Sequence, residues 1–313
     1  MLDLPTLPGG DAPIQGEKSF PTFVPWEYLR RIRTGDHSDP LLRQVLAVSA
    51  EDQQASAFGC DPVGDRQSIV AAGLLQKYDR RALLIVNGTC GIHCRYCFRR
   101  EFPYSEEGSR RQNWQPAIDY LRDHHDIEEL LLSGGDPLTL VDQQLDKLIY
   151  QIESIPHIRR LRIHTRMPIV IPQRVTDALL LRLQRSRLAV WMVIHANHPN
   201  ELDDHVLSRL TAFVDRGIPV LNQSVLLRGV NNDAEVLSEL SRKLIDHRVQ
   251  PYYLHQLDRV RGAAHFEVSQ QEGKRLVRRL RSSLPGYAVP EYVVEVAGEP
   301  SKSVVFDQDR SCM

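Results

Sequence analysis

Residues 82–97 carry the two features that organise this chain, in the order ALLIVNGTCGIHCRYC. The first five residues, Ala82 to Val86, form a short apolar run of the kind found in a strand that is buried on both faces. Three cysteines then follow within eight residues, as Cys90-x3-Cys94-x2-Cys97. In a chain with only five cysteines, this spacing is typical of a metal or redox site and not of a disulfide framework.

Five more apolar runs follow the first, and each is followed by an amphipathic stretch of about ten to fifteen residues. The predicted strands are Ala82–Val86, Glu129–Leu132, Leu161–His164, Ala189–His195, Val220–Leu226 and Tyr252–His255. The predicted helices are Pro116–His124, Asp142–Glu153, Thr176–Arg185, Asp203–Arg216, Asp233–His247 and Ser269–Ser282. Thr176 and Asp233 are suitable N-caps, and Gly217 lies just past the end of another helix. This alternation predicts an α/β fold, a partial TIM-type (β/α)6 barrel of parallel strands.

The domain organisation is predicted to have three parts. Residues 1–75 contain many prolines and only short helical patches, so we expect an irregular, partly helical N-terminal extension. Residues 76–290 are expected to form the barrel, and residues 291–313 a C-terminal segment.

The composition excludes several classes of protein. Of the 313 residues, 42% are hydrophobic and 25% are charged, which argues against long disorder. The net charge of −1 gives no electrostatic reason to expect nucleic-acid binding. No apolar run approaches the roughly 18 residues that a membrane helix needs, and the first residues do not resemble a signal peptide. We therefore expect a cytoplasmic protein without membrane contact.

Polar residues follow every predicted strand. In barrels of this type the chemistry lies on the loops at the C-terminal ends of the strands. Solvated turns would explain some of these loops but not all six, so we expect the site at this rim. The loops are Asn87–Cys90, Ser133–Asp136, His164–Arg166, His195–His198, Asn222–Ser224 and His255–Asp258.

The cysteine loop admits more than one interpretation. Three thiolates on one loop can hold three irons of a [4Fe-4S] cluster and leave the fourth iron without a protein ligand. A zinc knot would need a fourth ligand, for which His93, Cys60 and Cys312 are candidates. Buried, inert thiols are a third interpretation. Neither distant cysteine belongs to a paired Cys-x2-Cys half, so the iron–sulfur cluster is favoured.

The cysteine loop and the later tetrapeptide Ser133-Gly134-Gly135-Asp136 resemble the radical S-adenosylmethionine superfamily. The resemblance implies that Cys90, Cys94 and Cys97 bind the cluster, and that the open iron binds S-adenosylmethionine and reduces it to methionine and a 5′-deoxyadenosyl radical. A flavodoxin- or ferredoxin-type protein would supply the electron. The backbone of Ser133, Gly134, Gly135 and Asp136 would approach this cofactor, and glycine suits that role because a Cβ would keep the ligand away.

Longer stretches narrow the resemblance to the lysine 2,3-aminomutase family. They are Cys94–Arg100, His195–Glu201 and Asn222–Asn231, in an unbroken order between about residue 77 and residue 302. The resemblance implies an isomerase that moves the amino group of free L-lysine from C2 to C3 and gives (R)-β-lysine.

That family also uses pyridoxal 5′-phosphate, which needs a lysine for its Schiff base. Lys302 occupies the matching position, although the preceding residues 298–301 keep one glycine where the family usually has a run of them. Arg81 matches an arginine that holds the cofactor phosphate. His195 and Gln223 match residues that line this pocket, and as single residues they could equally be core hydrogen-bonding groups.

The resemblance also assigns the residues that would bind the substrate. Arg99 matches the clamp for the α-carboxylate, and Asp258 and Glu295 match two acidic positions that receive the ε-ammonium. Two anions facing one cation specify lysine over alanine or glutamate. The family more often has aspartate at the position of Glu295, and each carboxylate could instead form a surface salt bridge.

The chain has eleven residues after Lys302, and this short form resembles the bacterial branch whose β-lysine is attached to elongation factor P by a separate β-lysine ligase. The pathway rests on family analogy alone. Two alternatives remain open: a 2,3-aminomutase for glutamate or arginine, and a non-catalytic metal-binding module.

Overall fold

The computed structural model describes residues 20–104 and 113–305, and the strands in these ranges form one sheet. Each strand pairs with its neighbour in the sequence, so the order in the sheet is the order in the chain. The strands are β1 (Ile69–Ala71), β2 (Leu74–Tyr78), β3 (Arg81–Asn87), β4 (Glu129–Gly134), β5 (Arg160–Thr165), β6 (Ala189–Ile194), β7 (Val220–Val225), β8 (Gln250–His255), β9 (Glu291–Val294) and β10 (Ser303–Val304).

Strands β3 to β9 are parallel, and at least one helix lies between each of them and the next. The helices are α1 (Trp26–Leu29), α2 (Pro40–Arg43), α3 (Gln115–Asp123), α4 (Asp142–Glu153), α5 (Met167–Val170), α6 (Asp177–Gln184), α7 (Asp204–Asp215), α8 (Ala234–Asp246) and α9 (Gln270–Ser283). Six strand–helix units thus precede β9, and the predicted partial (β/α)6 barrel is confirmed. Within the described ranges, no helix has the length and apolar character to cross a membrane.

Four of the strands, β1, β2, β9 and β10, were not predicted from the sequence. β1 and β2 form an antiparallel ladder that continues onto β3, and β10 pairs antiparallel with β9. β9 itself is a seventh parallel strand, next to β8. These segments are short, and they become strands only because a neighbour offers its hydrogen-bonding edge, so no periodicity marks them in the sequence.

The two faces of the parallel strands differ in burial and polarity. On β4 and β5, alternate residues are fully buried and belong to the main apolar core, namely Leu130, Leu132, Leu161 and Ile163. Successive side chains of a strand point to opposite faces, so the residues between them face the other way, into the barrel. These include polar groups such as Ser133 and His164. The core therefore lies between sheet and helices, and the lumen keeps the polar groups.

The predicted helix ends are confirmed where they were specified. The Thr176 hydroxyl accepts a hydrogen bond from the Leu179 amide over 3.1 Å. The Asp233 carboxylate accepts one from the Glu235 amide over 2.8 Å. Gly217 has a φ of +75°, the left-handed conformation expected after a helix C-terminus.

The described part of the N-terminal extension is partly helical, with α1 and α2 as single turns. It is tied to the barrel at Gly59, whose amide donates to the Arg259 carbonyl over 2.9 Å and whose carbonyl accepts from the Arg261 amide over 2.9 Å. Gly59 therefore lies next to the loop after β8. β2 crosses the boundary predicted between residues 75 and 76, and the division into three parts stays a prediction.

Candidate active site

The three cysteines lie on the loop after β3, at the rim formed by the C-terminal ends of the parallel strands. All three are half-buried free thiols. Two glycines allow the loop to fold tightly. A Cβ on Gly91 would overlap the Met167 sulfur, and a Cβ on Gly88 would lie 2.8 Å from the Tyr104 Cβ. The loop is therefore packed directly against its neighbours.

The surroundings of the cysteines fit a positively charged cluster. Burial raises the pKa of Cys90 well above the usual range, and the Cys97 thiolate adds to this. Burial and then Cys94 raise the pKa of Cys97 to about 11. Arg166 donates from Nη1 to the Cys94 sulfur over 2.7 Å. Thiols whose pKa is raised in this way ionise when a cation compensates the charge, and three soft sulfurs on one loop suit the irons of a [4Fe-4S] cluster.

The candidates for a fourth zinc ligand have other partners. His93 Nδ1 lies 2.7 Å from the Pro21 carbonyl, and its ring stacks on Phe20. The Cys60 sulfur accepts a hydrogen bond from Arg261 over 2.9 Å, and Cys312 lies outside the described residues. Within residues 20–104 and 113–305, no three His, Cys, Asp or Glu side chains converge as the ligands of a single ion. In a cubane each thiolate binds its own iron, so such convergence is not required.

Two glycines at the end of β4, Gly134 and Gly135, bring this strand end onto the cysteine loop. A Cβ on Gly135 would overlap the backbone of Thr89, and Gly134 has a φ of +113°, with its Cβ position 2.7 Å from the Asn87 carbonyl oxygen. The Gly135 amide donates to that same carbonyl over 2.8 Å. Close backbone packing is thus a second reason for glycine here, in addition to the ligand approach that the sequence suggested.

Asp136 holds the next strand end in place. Its carboxylate accepts hydrogen bonds from the Thr165 hydroxyl over 2.6 Å and the Arg166 amide over 2.7 Å. Burial raises the pKa of Asp136, and these hydrogen bonds oppose the shift. The Arg166 guanidinium is further held by Gln44 Oε1 and Glu201 Oε2, each at 2.7 Å. Asp136 therefore positions the arginine that contacts Cys94.

His195 supports the cysteine loop. Its Nε2 lies 2.8 Å from the hydroxyl of Tyr96, which stands between Cys94 and Cys97. Burial lowers the pKa of His195 well below its usual range, and Arg166 adds to this effect. The neutral imidazole is thus a hydrogen-bonding partner of the loop.

Two histidines that the sequence analysis did not assign also face the lumen. Gln223 Nε2 lies 3.5 Å from Nδ1 of His164, on β5, while the buried Nε2 of His164 has no hydrogen-bond partner among the described residues. Burial lowers the pKa of His255, on β8, to about 3, and the charge of Lys302 contributes. Their places at strand ends were visible in the sequence, but no motif distinguished them.

Lys302 reaches the rim through the small hairpin of β9 and β10. Ser303 pairs with Val294, which returns Lys302 to the side of Glu295. The Lys302 ammonium forms an ion pair with Glu295 Oε2, and the Tyr78 hydroxyl donates to Oε1 over 2.6 Å. Burial raises the pKa of Glu295, but Lys302 and Tyr78 outweigh this effect, and the pKa lies below the usual range.

Asp258 lies beside this ion pair. Burial raises the pKa of Asp258 to about 7, and the nearby Glu295 carboxylate also raises it, while Lys302 opposes the shift. Asp258 and Glu295 both line a cavity of about 530 Å³. Arg228 and residues 267–270 form another wall of this cavity, and Lys302 and the cysteine loop are not among the residues that line it.

Arg81 offers a donor for an anion. It stands at the start of β3, with its guanidinium carbon 4.6 Å from the centre of the Tyr78 ring. Its Nε is buried and has no hydrogen-bond partner among the described residues. An unpaired buried arginine donor fits a phosphate group.

Arg99 links the end of β4 to the N-terminal extension. Its Nη1 donates to the Ser133 hydroxyl over 3.1 Å, and its Nε to Asp65 Oδ2 over 2.6 Å. Asp65 Oδ1 also forms an ion pair with Lys77 Nζ at 2.7 Å. The sequence analysis assigned neither Asp65 nor Lys77 to the site, because nothing local distinguishes them from surface charges.

The chain matches the model of the radical SAM superfamily over residues 84–240. It is 48% identical to an L-lysine 2,3-aminomutase of Escherichia coli (strain K12) over 92% of this chain and 84% of that protein. It is 45% identical to one of Haemophilus influenzae, over 93% and 86%, and 37% identical to one of Clostridium subterminale, over 89% and 67%.

A crystal structure of SuiB from Streptococcus suis bound to S-adenosylmethionine has a TM-score of 0.52 to this chain. The identity is 15%, and the match covers 70% of this chain and 51% of the other. At that identity the likeness supports a shared fold alone. Together with the relatives in three bacteria, these matches show that the chain belongs to the L-lysine 2,3-aminomutase family of radical SAM proteins.

Proposed function

We propose that the protein is an L-lysine 2,3-aminomutase, an isomerase that converts L-α-lysine into (R)-β-lysine. Family membership supports the reaction class. One structural observation carries the choice of substrate: Lys302 lies beside two carboxylates, Glu295 and Asp258, on the rim that also carries the cysteine loop. Glutamate and alanine offer no terminal cation for such a pair.

When bound, the [4Fe-4S] cluster and S-adenosylmethionine supply a radical that takes up and returns a hydrogen atom, and pyridoxal phosphate supplies an aldehyde that carries the migrating nitrogen. Cys90, Cys94 and Cys97 would hold the cluster. Lys302 would attach the aldehyde, and the unpaired Nε of Arg81 would bind the phosphate. The backbone of residues 133–136, together with the side chains of His195 and Gln223, would line the site that binds these cofactors.

Arg99 would bind the substrate carboxylate. Asp65 accepts the hydrogen bond from its Nε, and the Ser133 hydroxyl accepts one from Nη1. Of the five guanidinium donors, one on Nη1 and two on Nη2 have no hydrogen-bond partner in the described part of the chain and could bind a ligand. This edge matches the two oxygens of a carboxylate, and the low exposure of Arg99, 8%, strengthens such a pair.

Glu295 and Asp258 would bind the ε-ammonium. The Lys302 ammonium is paired with Glu295, at the place that a substrate ammonium would take. In the protein loaded with pyridoxal phosphate, Lys302 would hold the aldehyde, and Glu295 and Asp258 would be the acceptors for the substrate ammonium. An approaching ammonium would draw the proton off Asp258.

The proposal is tested by anaerobic reconstitution of the protein with iron, sulfide and pyridoxal phosphate, followed by reduction with dithionite and addition of S-adenosylmethionine. We expect β-lysine from L-lysine, and no β-amino acid from L-glutamate or L-arginine. Formation of β-glutamate or β-arginine without β-lysine would overturn the substrate assignment. A colourless protein with stoichiometric zinc would support the metal-binding module instead.

The remaining partners belong to the same proposal. A flavodoxin- or ferredoxin-type protein would reduce the cluster, and a β-lysine ligase would attach the product to elongation factor P, in the reducing cytoplasm. In cells that lack this protein, elongation factor P is expected to lose the mass of β-lysine, and the wild-type gene to restore it. Restoration by a Cys94→Ala variant would contradict the role in this pathway.

A further inference from the structure

A buried aspartate from the N-terminal extension lies between the two ends of the proposed substrate site. Asp65 is 1% exposed, and its two oxygens contact Arg99 Nε at 2.6 Å and Lys77 Nζ at 2.7 Å. Lys77 Nζ in turn lies 3.7 Å from Glu295 Oε1. An ionic chain thus runs from the carboxylate end, at Arg99, to the ammonium end, at Glu295.

The position of Asp65 is set by its own segment. Asp61 accepts hydrogen bonds from the Asp65 amide over 2.9 Å and from the Arg66 amide over 3.1 Å. The backbone of Gly59 is bonded to the loop after β8. Asp65 is therefore a fixed anion against which more flexible cationic side chains are held.

We propose that Asp65 is a positioning residue for substrate recognition, which aims the free edge of Arg99 at the substrate carboxylate and holds Lys77 away from Glu295. This inference rests on the roles of Arg99 and Glu295 in the proposed function.

The effect on Arg99 follows from geometry. A guanidinium binds a carboxylate through two parallel hydrogen bonds only when one of its edges faces the ligand. Asp65 on Nε and Ser133 on Nη1 together fix the plane of the Arg99 guanidinium. Without the Asp65 charge, one of these two constraints is lost.

The effect on Lys77 is electrostatic. Lys77 and the substrate ε-ammonium are both cations that Glu295 can attract. Asp65 and the Val63 carbonyl, each 2.7 Å from Lys77 Nζ, hold it at 3.7 Å from Glu295, beyond a direct hydrogen bond. Burial raises the pKa of Asp65, but Arg99 and Lys77 outweigh this effect, so the pKa is lowered and the anion persists at neutral pH.

Three amines separate the two effects. The protein is loaded with pyridoxal phosphate and titrated with L-lysine, which has both ends, with L-norleucine, which has only the carboxylate end, and with cadaverine, which has only the ammonium end. The change in pyridoxal absorbance reports the affinity. For Asp65→Asn we expect each affinity to fall about tenfold, the worth of one hydrogen bond to a charged group.

A second substitution then distinguishes positioning from general damage. In Asp65→Asn combined with Lys77→Met, the cation that competes for Glu295 is gone, so the affinity for cadaverine should recover while that for L-norleucine stays low. Asp65→Glu keeps the anion and should retain most of the affinity for all three amines. Asp146→Asn, which removes a surface ion pair with Arg182, is the matched control and should change nothing.

The following results would overturn the inference or the role of Arg99 on which it rests. An unchanged affinity of Asp65→Asn for L-norleucine, or a loss for cadaverine that Lys77→Met does not reverse, overturns the inference, provided that melting and pyridoxal loading match the wild type. If Asp65→Asn does not fold, Asp65→Glu with wild-type loading and lost affinity for all three amines overturns it. If Arg99→Ala also leaves the L-norleucine affinity unchanged, the proposed role of Arg99 is wrong, which is a separate failure.

Discussion

The two sides of the rim hold their charges in different ways. On the cysteine side, formed by the loops after β3 to β6, Arg166 and Asp136 are buried and each is held by several hydrogen bonds. On the amine side, formed by β2, β8, β9 and the segment that carries Lys302, the side chains of Lys302 and Lys77 stay 27% and 19% exposed. Lys302 pairs with Glu295, and Lys77 pairs with Asp65 at 2.7 Å and with Glu295 at 3.7 Å. The first arrangement suits a fixed cluster, and the second suits ligands that come and go.

The physical basis of the contrast is solvation. A buried polar network is costly to disrupt, because each group left without a partner keeps its desolvation penalty. Partly exposed ion pairs are weak and exchange readily. Changes on the cysteine side should therefore affect folding and the cluster, whereas changes on the amine side should affect binding and its pH dependence.

The largest effect is expected for Cys94→Ala. With one of three ligands missing, the cluster absorbance at about 400 nm and all turnover should be lost. Pyridoxal binding should remain, because it depends on the other side of the rim. Cys60→Ala, outside the loop, should keep both properties, and a brown, active Cys94→Ala protein would contradict the assignment of the ligands.

Lys302→Ala should abolish turnover but keep the cluster. The absorbance shift on addition of pyridoxal phosphate should disappear, because the amine that is proposed to form the Schiff base has been removed. Borohydride trapping in the wild type followed by peptide mapping checks this directly. An adduct on Lys77 or Lys274 instead of Lys302 would show that the assignment is wrong.

Gly135→Ala tests the packing of the cysteine side. The new Cβ would overlap the Thr89 backbone, so we expect a loss of about 1–3 kcal/mol in the free energy of unfolding. The cluster content should fall with it, because Thr89 precedes Cys90. Gly59→Ala is the matched control, since a Cβ there meets nothing within 4 Å. Equal stability of the two variants would refute tight packing at Gly135.

The smallest effect concerns the pH dependence of the amine side. Because burial raises the pKa of Asp258 to about 7, the folded protein keeps a proton here that the unfolded chain releases near pH 4. The contribution of Asp258 to stability should therefore fall as the pH rises from about 4 to about 7. The affinity for L-lysine should rise between about pH 6 and about pH 8, because the charged form binds the ammonium.

Denaturant unfolding and pyridoxal absorbance titrations at several pH values measure these two trends. Asp258→Asn cannot titrate and should reduce both slopes. Unchanged slopes in this variant would assign the pH dependence to another group.

The fold was predictable wherever local patterns repeat. The apolar run at residues 82–86 and its five successors each became a parallel strand, and the caps at Thr176 and Asp233 appeared as expected. The hairpin of β1 and β2 was not predictable, because segments of three to five residues without alternation depend on the edge of β3 for their structure.

The candidate site divides in the same way. The cysteine loop and Lys302 are recognisable because their motifs are contiguous in sequence. His164 and His255 lay in polar loops that were already noted, but their neutral state comes from burial in the lumen. Asp65 gave no signal, since its partner Arg99 is 34 residues away.

By itself, the amino-acid sequence determined the order of strands and helices, the spacing of the three cysteines and the family resemblance, because these follow from periodicity and from residues close in the chain. Only the tertiary structure decided that Asp65 holds Arg99, that Lys302 returns to Glu295, and that Asp258 titrates near neutrality. These properties depend on distance and burial in three dimensions, and no local pattern encodes either.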